Sequence, residues 1–317
     1  MLYVYFGHHK CASTWIHEIL AQVCREAGLR TRLLVDPLTP YAHGPLTDYR
    51  RQDISREALG EYLSKAKVDF AFCITADRRH VDGLGEVPFR GFHVIRDPRD
   101  IIVSAYFSHR NSHPTEGLPH LAEHRQRLQA VSKEEGLLLE MDFSAQEIRD
   151  LAEWPYGQEN ILELRMEDLI ARPYDGFLQI FEFLGLMDWE GDYLARRRIS
   201  RFVQRMLNRL SFRHPMLGWL RRPMQVTGEV LLGRVYDHRF EKKAGRRPKG
   251  QEDPKSHYRK GQPGDWRNHF TEVHVAAFKE KFGDLVVRLG YESDHNWGLE
   301  PKDPILGFEG EAGRSRA

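Results

Sequence analysis

Apolar residues fall into two kinds of run along this chain. Short runs at Leu2–Phe6, Val68–Ile74, Gly91–Ile95 and Asn160–Arg165 end in polar or turn residues and read as β-strands, the first of them buried. Longer stretches repeat their apolar positions every three to four residues and read as helices. Ile16, Ile19, Leu20, Val23 and Ala27 do so from Thr14 onward, and Gly28 stops that helix. A second helix follows Pro98, a residue suited to a first helical turn. A third spans Tyr174–Leu184 with Phe177, Ile180 and Phe181 on one face and Gly185 as its cap, and a last amphipathic helix spans 271–289. Strands alternating with helices predict an α/β fold: one domain over residues 1–297 with a central, mainly parallel sheet flanked by helices on both faces. There is no internal repeat. Residues 298–317, polar and rich in Gly and Pro, are expected to form a disordered tail.

Residues 186–258 break the alternation. Between Arg196 and Gly228 lie nine arginines and no acidic residue, interleaved with Ile199, Phe202, Val203, Met206, Leu207 and Leu210 at roughly helical spacing. An ordinary amphipathic helix with a solvated basic face fits this pattern. So does a helical and loop cap over an active site, meeting an anionic acceptor or a lipid surface.

Composition narrows the classes. The 317 residues carry 47 basic and 46 acidic side chains, a balance that argues against a nucleic-acid binder. Three scattered cysteines, Cys11, Cys24 and Cys73, match neither a disulfide nor a zinc framework and read as buried reduced thiols. His8-His9 and His109-x-x-x-His113 come closest to metal pairs, but no ligand set forms and no metal is expected. No apolar run reaches the length of a membrane span, and the first strand starts at residue 2 without a leader signature, so a cytoplasmic protein is expected, with peripheral membrane contact left open.

Three segments carry candidate chemistry. Gly7-His8-His9-Lys10-Cys11-Ala12-Ser13-Thr14-Trp15 joins a strand to a helix, whose N-terminus suits an anion. It lacks the second Gly-Lys-Ser/Thr of a Walker A loop and reads as a phosphate cradle with a lysine at its crest; a ligand-free Ser/Thr cap would look the same. Arg96-Asp97-Pro98-Arg99-Asp100 through Ser104 lies where a strand ends, the side on which open α/β sheets bind ligands. Arg96 and Ser104 could converge on one phosphate; alternatively this is a helix start with Asp97 as its cap and Arg99–Asp100 on the surface. Arg259-Lys260-Gly261-Gln262-Pro263-Gly264-Asp265-Trp266-Arg267-Asn268-His269-Phe270-Thr271 sets cations beside glycines, which let backbone N–H groups approach an oxyanion.

In these three ordered motifs the chain resembles the sulfotransferases that use 3′-phosphoadenosine-5′-phosphosulfate (PAPS), over roughly residues 2–292. Leu162–Gly185, with Glu167-Asp168 and Phe183-Leu184-Gly185, and Arg239–Lys249, with Phe240-Glu241-Lys242, are similar to lesser family stretches. The resemblance implies a P-loop NTPase-like fold and transfer of a sulfuryl group to a hydroxyl or amine, releasing PAP. It implies that His9, Lys10, Cys11, Ala12, Ser13, Thr14 and Trp15 surround the 5′-phosphosulfate, with Lys10 on the bridging oxygen. It further implies that Arg96, Ser104, Arg259, Lys260 and Gly261 grip the 3′-phosphate and that Phe240 is a second face for the adenine beside Trp15. The family's base, a histidine after a strand, has no match in Phe72–His80; Asp77, His80 and His9 are the candidates. Met166 stands where relatives carry tyrosine, and Cys11 and Ala12 replace serine and glycine. Thr271-Glu272 and Ala276 depart from the family's dimerisation pattern, so a monomer or weak dimer is expected. The acceptor is expected to be a small-molecule, glycan or lipid-like hydroxyl compound, held by loops at 36–52, 107–145 and 190–250. A PAP-binding protein without catalysis and a nucleotide-dependent kinase are the competing readings.

Overall fold

The computed structural model describes residues 1–35, 46–48, 53–54, 56–190 and 195–299. Seven strands form its main sheet: β1 (Leu2–Gly7), β2 (Thr31–Val35), β3 (Leu46–Asp48), β4 (Asp53–Ile54), β5 (Phe70–Cys73), β6 (Phe89–Ile95) and β7 (Ile161–Arg165). Their order is β4-β3-β2-β5-β1-β6-β7. The five strands from β2 to β7 pair in parallel, while β3 and β4 add an antiparallel edge.

Helices cover both faces, as a parallel sheet requires. They are α1 (Ser13–Glu26), α2 (Leu59–Lys65), α3 (Arg78–Asp82), α4 (Pro98–Phe107), α5 (Pro119–Ala130), α6 (Lys133–Phe143), α7 (Ala145–Ala152), α8 (Met166–Ala171), α9 (Pro173–Phe183), α10 (Ala195–Arg213), α11 (Gly228–Asp237), α12 (Phe240–Lys243), α13 (Glu272–Phe282) and α14 (Leu285–Arg288). Alternate residues of the central strand serve different cores. Tyr5 packs with α1, α9 and α11, while Val4 and Phe6 pack with α2. A third core joins α4, α6, α13 and α14.

The strands and helices expected at 2–6, 68–74, 91–95, 160–165, 14–27 and 174–184 are present within a few residues. The helix expected over 271–289 is not continuous, because Gly283 at φ 57° breaks it into α13 and α14. On that side of the sheet β2, β3 and β4 are short, with no apolar run longer than Leu33–Val35, so the sequence pattern does not announce them. A two-stranded sheet of β8 (Met187–Asp188) and β9 (Val226–Thr227) brackets α10. That helix lies on α1: the Asn208 amide donates to the carbonyls of Glu26 and Arg222, and Arg209 pairs with Glu26 at 2.6 Å. The tail expected to begin at 298 lies outside the described residues from 300 onward.

Because β1, β5, β6 and β7 run parallel, their C-terminal ends deliver residues 8–12, 74–77, 96–97 and 166–167 to one edge of the sheet.

Candidate active site

The loop after β1 is bent against its residues' preferences. Lys10 (φ 62°) and Ala12 (φ 58°) are both left-handed, a conformation that costs a non-glycine residue about 1 kcal/mol or more. Surroundings hold it there. Cys11 is fully buried in the core with Ile95 and Ile102 and donates its N–H to the His8 carbonyl at 3.2 Å. Arg96 donates to the Lys10 carbonyl at 3.0 Å. As a result α1 starts at Ser13 with no side chain capping its first turn, and Ser13, Thr14 and Trp15 line a cavity. Half-buried Lys10 lines it too. Burial, then the charge of Arg96, lowers the Lys10 ammonium to about 8.

The second segment follows β6. Asp97 caps α4 through the Arg99 N–H at 2.9 Å, with Pro98 at the first position, as expected. Arg99 and Asp100 are not on the surface. The Arg99 guanidinium carbon lies 3.9 Å from the Trp266 ring centre and 4.6 Å from that of Trp297, and it pairs with Asp97 and Glu292. Asp100 accepts the N–H groups of Gly264 (2.6 Å) and Trp266 (2.9 Å). Both residues are buried because they pin α4 to the third segment. Arg96 keeps its Nε buried without a hydrogen-bond partner, and it and Ser104 face the same cavity.

The third segment is shaped by glycine and by carbonyl-binding arginine. Gly261 sits at φ 68°, and a Cβ there would lie 2.5 Å from a Phe240 ring carbon. Arg247 donates to the carbonyls of Gln251, Tyr258 and Arg259, clamping the approach. Arg259 pairs with Glu252 at 2.6 Å and Asp265 at 2.5 Å and rests 4.6 Å from the Phe107 ring centre. Lys260 pairs with Asp265 as well. Burial pushes the Asp265 carboxyl up, but hydrogen bonds from His269, Lys260 and Asn268 and the charge of Arg259 hold it far below the usual carboxylate range.

These segments meet in one cavity of about 870 Å³. Every nucleotide-site residue singled out from the sequence lines it except Cys11, which supports the loop from behind. Trp15 donates its indole N–H to the His238 carbonyl at 2.8 Å and meets Phe177 edge-on. His113 and Leu118 contribute from the expected 107–145 loop, and Val235 to Lys249 from the expected cap. Among the described residues, none from 196–228 lines the cavity. The expected loop at 36–52 lies largely outside the described residues.

Asp77 and His80 are absent from the lining. Asp77 caps α3 through the Arg79 N–H at 2.8 Å and pairs with Arg79, while the His80 Nδ1 takes the Asp77 N–H at 3.1 Å. A reciprocal capping box occupies both side chains, which corrects the expectation that this loop presents a base.

The sequence reading missed a different chain. The His9 Nε2 lies 3.2 Å from the His109 Nε2, and the His109 Nδ1 lies 3.0 Å from the fully buried Glu140. His124 and Ser144 donate to the same carboxylate at 2.9 and 2.6 Å. Burial raises the Glu140 carboxyl, but its bonds and charge interactions with His109 and His124 outweigh that and hold it at about 2. Burial and the Lys10 charge keep His9 well below 6.5. The spacing at His109-x-x-x-His113 hints at this cluster, but nothing local points to Glu140. The ligand atoms of His109, His124 and Glu140 lie within 4.8 Å of one another, and the carboxylate is already taken up by these donors.

A family model described as a sulfotransferase domain matches residues 90–221. Among solved structures, mouse sulfotransferase SULT7A1 complexed with PAP is similar in fold, with a TM-score of 0.52 and 12% identity, over 90% of this chain and 84% of that one. Retinol dehydratase in a complex with retinol and PAP matches with a TM-score of 0.44 and 14% identity, over 90% of this chain and 80% of that one. No curated protein matches the sequence.

Proposed function

We propose that this chain, whose residues 90–221 match a sulfotransferase-domain family model, transfers the sulfuryl group of PAPS in line to a hydroxyl of a small acceptor and releases PAP. One observation carries this reading: Lys10–Thr14 and the pair Arg96/Ser104 with Arg259–Gly261 converge in a single cavity. Cations from three segments gathered in one cavity suit a nucleotide with more than one phosphate group, and Arg96, Ser104 and Arg259 would take a 3′-phosphate, which ATP does not have. The cradle fits such a substrate. The first turn of α1 has no side-chain cap, the buried Arg96 Nε lacks a partner, and Gly261 leaves the backbone bare at a point where a Cβ would collide with Phe240.

Protonated Lys10 would neutralise the bridging oxygen as its bond to sulfur breaks. The helix N–H groups would hold the 5′-phosphate, and Arg96, Ser104, Arg259 and Lys260 the 3′-phosphate. Trp15 and Phe240 would flank the adenine. Little covalent chemistry is left to the protein, so positioning and charge neutralisation carry the rate, as in phosphoryl transfer.

The acceptor proton goes to His9 in this reading, and the tautomers follow from Glu140. In this reading His109 is the neutral imidazole: an ionised carboxylate can only accept, so its Nδ1 donates to Glu140 and its Nε2 keeps a lone pair. That lone pair takes the His9 Nε2–H, which leaves the His9 Nδ1 unprotonated. His9 lines the cavity beside Lys10. A proton gained at Nδ1 would be shared along the chain and offset by the Glu140 charge, the logic of a base oriented by a second group.

The test is PAP release from PAPS with a panel of phenol, sterol and sugar hydroxyl acceptors. Turnover of at least one is expected, and His9→Gln should lower kcat by roughly 10²–10⁴-fold while PAP affinity stays within a few-fold. Wild-type turnover in His9→Gln would remove the base assignment. Tight PAP binding without turnover of any acceptor would favour a binding protein.

A further inference from the structure

Helix α10 is built inside out. Its inward row is polar. Arg197 pairs with the buried Asp188 at 3.4 Å, Arg201 pairs with the same carboxylate, and Gln204 donates to the Leu220 carbonyl at 3.1 Å. Asn208 and Ser211 are buried, bonded to the Glu26 and Asn208 carbonyls respectively. The opposite row, Ile199, Phe202, Val203, Met206 and Leu210, is apolar and exposed, with Phe202 at 57%. At 1.5 Å per residue this stripe runs about 17 Å. The 3₁₀ turn that follows (Pro215–Leu220) exposes two further apolar side chains, Met216 at 92% and Trp219 at 78%. An ordinary surface helix turns its apolar stripe inward. Here that stripe faces solvent, and a contiguous exposed patch of this kind marks a contact surface.

We propose that α10 and the turn after it dock on the surface of an anionic lipid bilayer. Charge selects this occupant. Residues 196–228 hold nine arginines and no acidic residue. Among the described residues, the exposed Arg196, Arg198 and Arg213 have no ion-pair partner, so their charge is available beside the stripe. A second copy of this chain would bring the same cations face to face, whereas lipid phosphates and carboxylates complement them. The seven arginines among the helix's 19 residues exclude a span, and a helix with an apolar face flanked by cations lies along the interface, its Phe and Trp side chains among the acyl chains. The polar bonds to Glu26, Asp188, Leu220 and Arg222 hold the helix with that face outward before any membrane is met. This inference does not depend on the sulfuryl-transfer reading.

Co-sedimentation of the full chain with vesicles tests it, using phosphatidylcholine alone or with about 30% phosphatidylserine. Binding to the anionic vesicles only is expected, and it should weaken as salt rises from about 0.1 to 0.5 M. Phe202→Ser with Met206→Ser and Trp219→Ser should lower partitioning roughly tenfold or more, and Arg196→Gln with Arg198→Gln and Arg213→Gln should remove the preference for anionic lipid. These are surface changes, so melting temperatures should stay close to wild type. No enrichment on anionic vesicles, or unchanged binding by the apolar triple variant, would overturn the proposal. So would a dimer in sedimentation velocity that the triple variant dissociates, since the stripe would then belong to a second copy.

Discussion

Lys10 must be protonated to neutralise a leaving oxygen, and burial with Arg96 alongside lowers it to about 8. Its charged form is therefore lost as pH rises through about 8, well before an exposed lysine would titrate. His9 must be neutral to act as base; held well below 6.5, it stays neutral over the same range. The signs combine into one expectation for the free enzyme: kcat/KM level from about 6.5 to about 8 and falling above. Lys10→Met should abolish that alkaline decline and lower kcat by about 10²–10³-fold, with PAP affinity changed only a few-fold. A second residue-level prediction concerns backbone strain. Ala12 is left-handed without the freedom of glycine, so Ala12→Gly should stabilise the chain by up to about 1 kcal/mol, read as a higher melting temperature.

At the scale of elements, α4 and the segment 259–268 behave as one piece because the Asp100 carboxylate holds two N–H groups 164 and 166 residues away. Asp100→Asn weakens a charge-assisted pair worth about 1.5–3 kcal/mol, so PAP affinity should fall roughly tenfold or more in calorimetry while the fold remains cooperative. Gly261→Ala should do at least as much, since both its φ and the Phe240 ring oppose a Cβ. These contacts explain what the sequence could convey. The strand–loop–helix at 2–26 and Arg96 at the end of β6 were legible because their signals are local: apolar runs, a glycine, a helix start. Asp100 and Glu140 were not, because their partners lie far along the chain and no periodicity records them. The same limit applies to α10. The pattern gave a helix with an apolar stripe, but which side faces the protein is decided by Glu26, Asp188 and Arg222, which no spacing reveals. Asp77 was misread for a related reason, since a carboxylate after a strand reads alike as base or cap until the Arg79 N–H is seen beside it.

For the whole molecule, the parallel sheet does what no single segment can. It brings residues 10 and 96 to one edge, where Asp100 on α4 holds the segment of residue 259, so that cations from three distant parts of the chain line one cavity. The most direct test of that arrangement is calorimetric titration with PAP, AMP and ATP in the absence of magnesium. Charge-assisted bonds from Arg96 and Arg259 at about 1.5–3 kcal/mol each predict that PAP binds on the order of 10² times more tightly than AMP or ATP, which lack the 3′-phosphate. Equal affinity for ATP and PAP would mean that Arg96 and Arg259 do not form a 3′-phosphate site, and the assignment of PAPS to this cavity would fall.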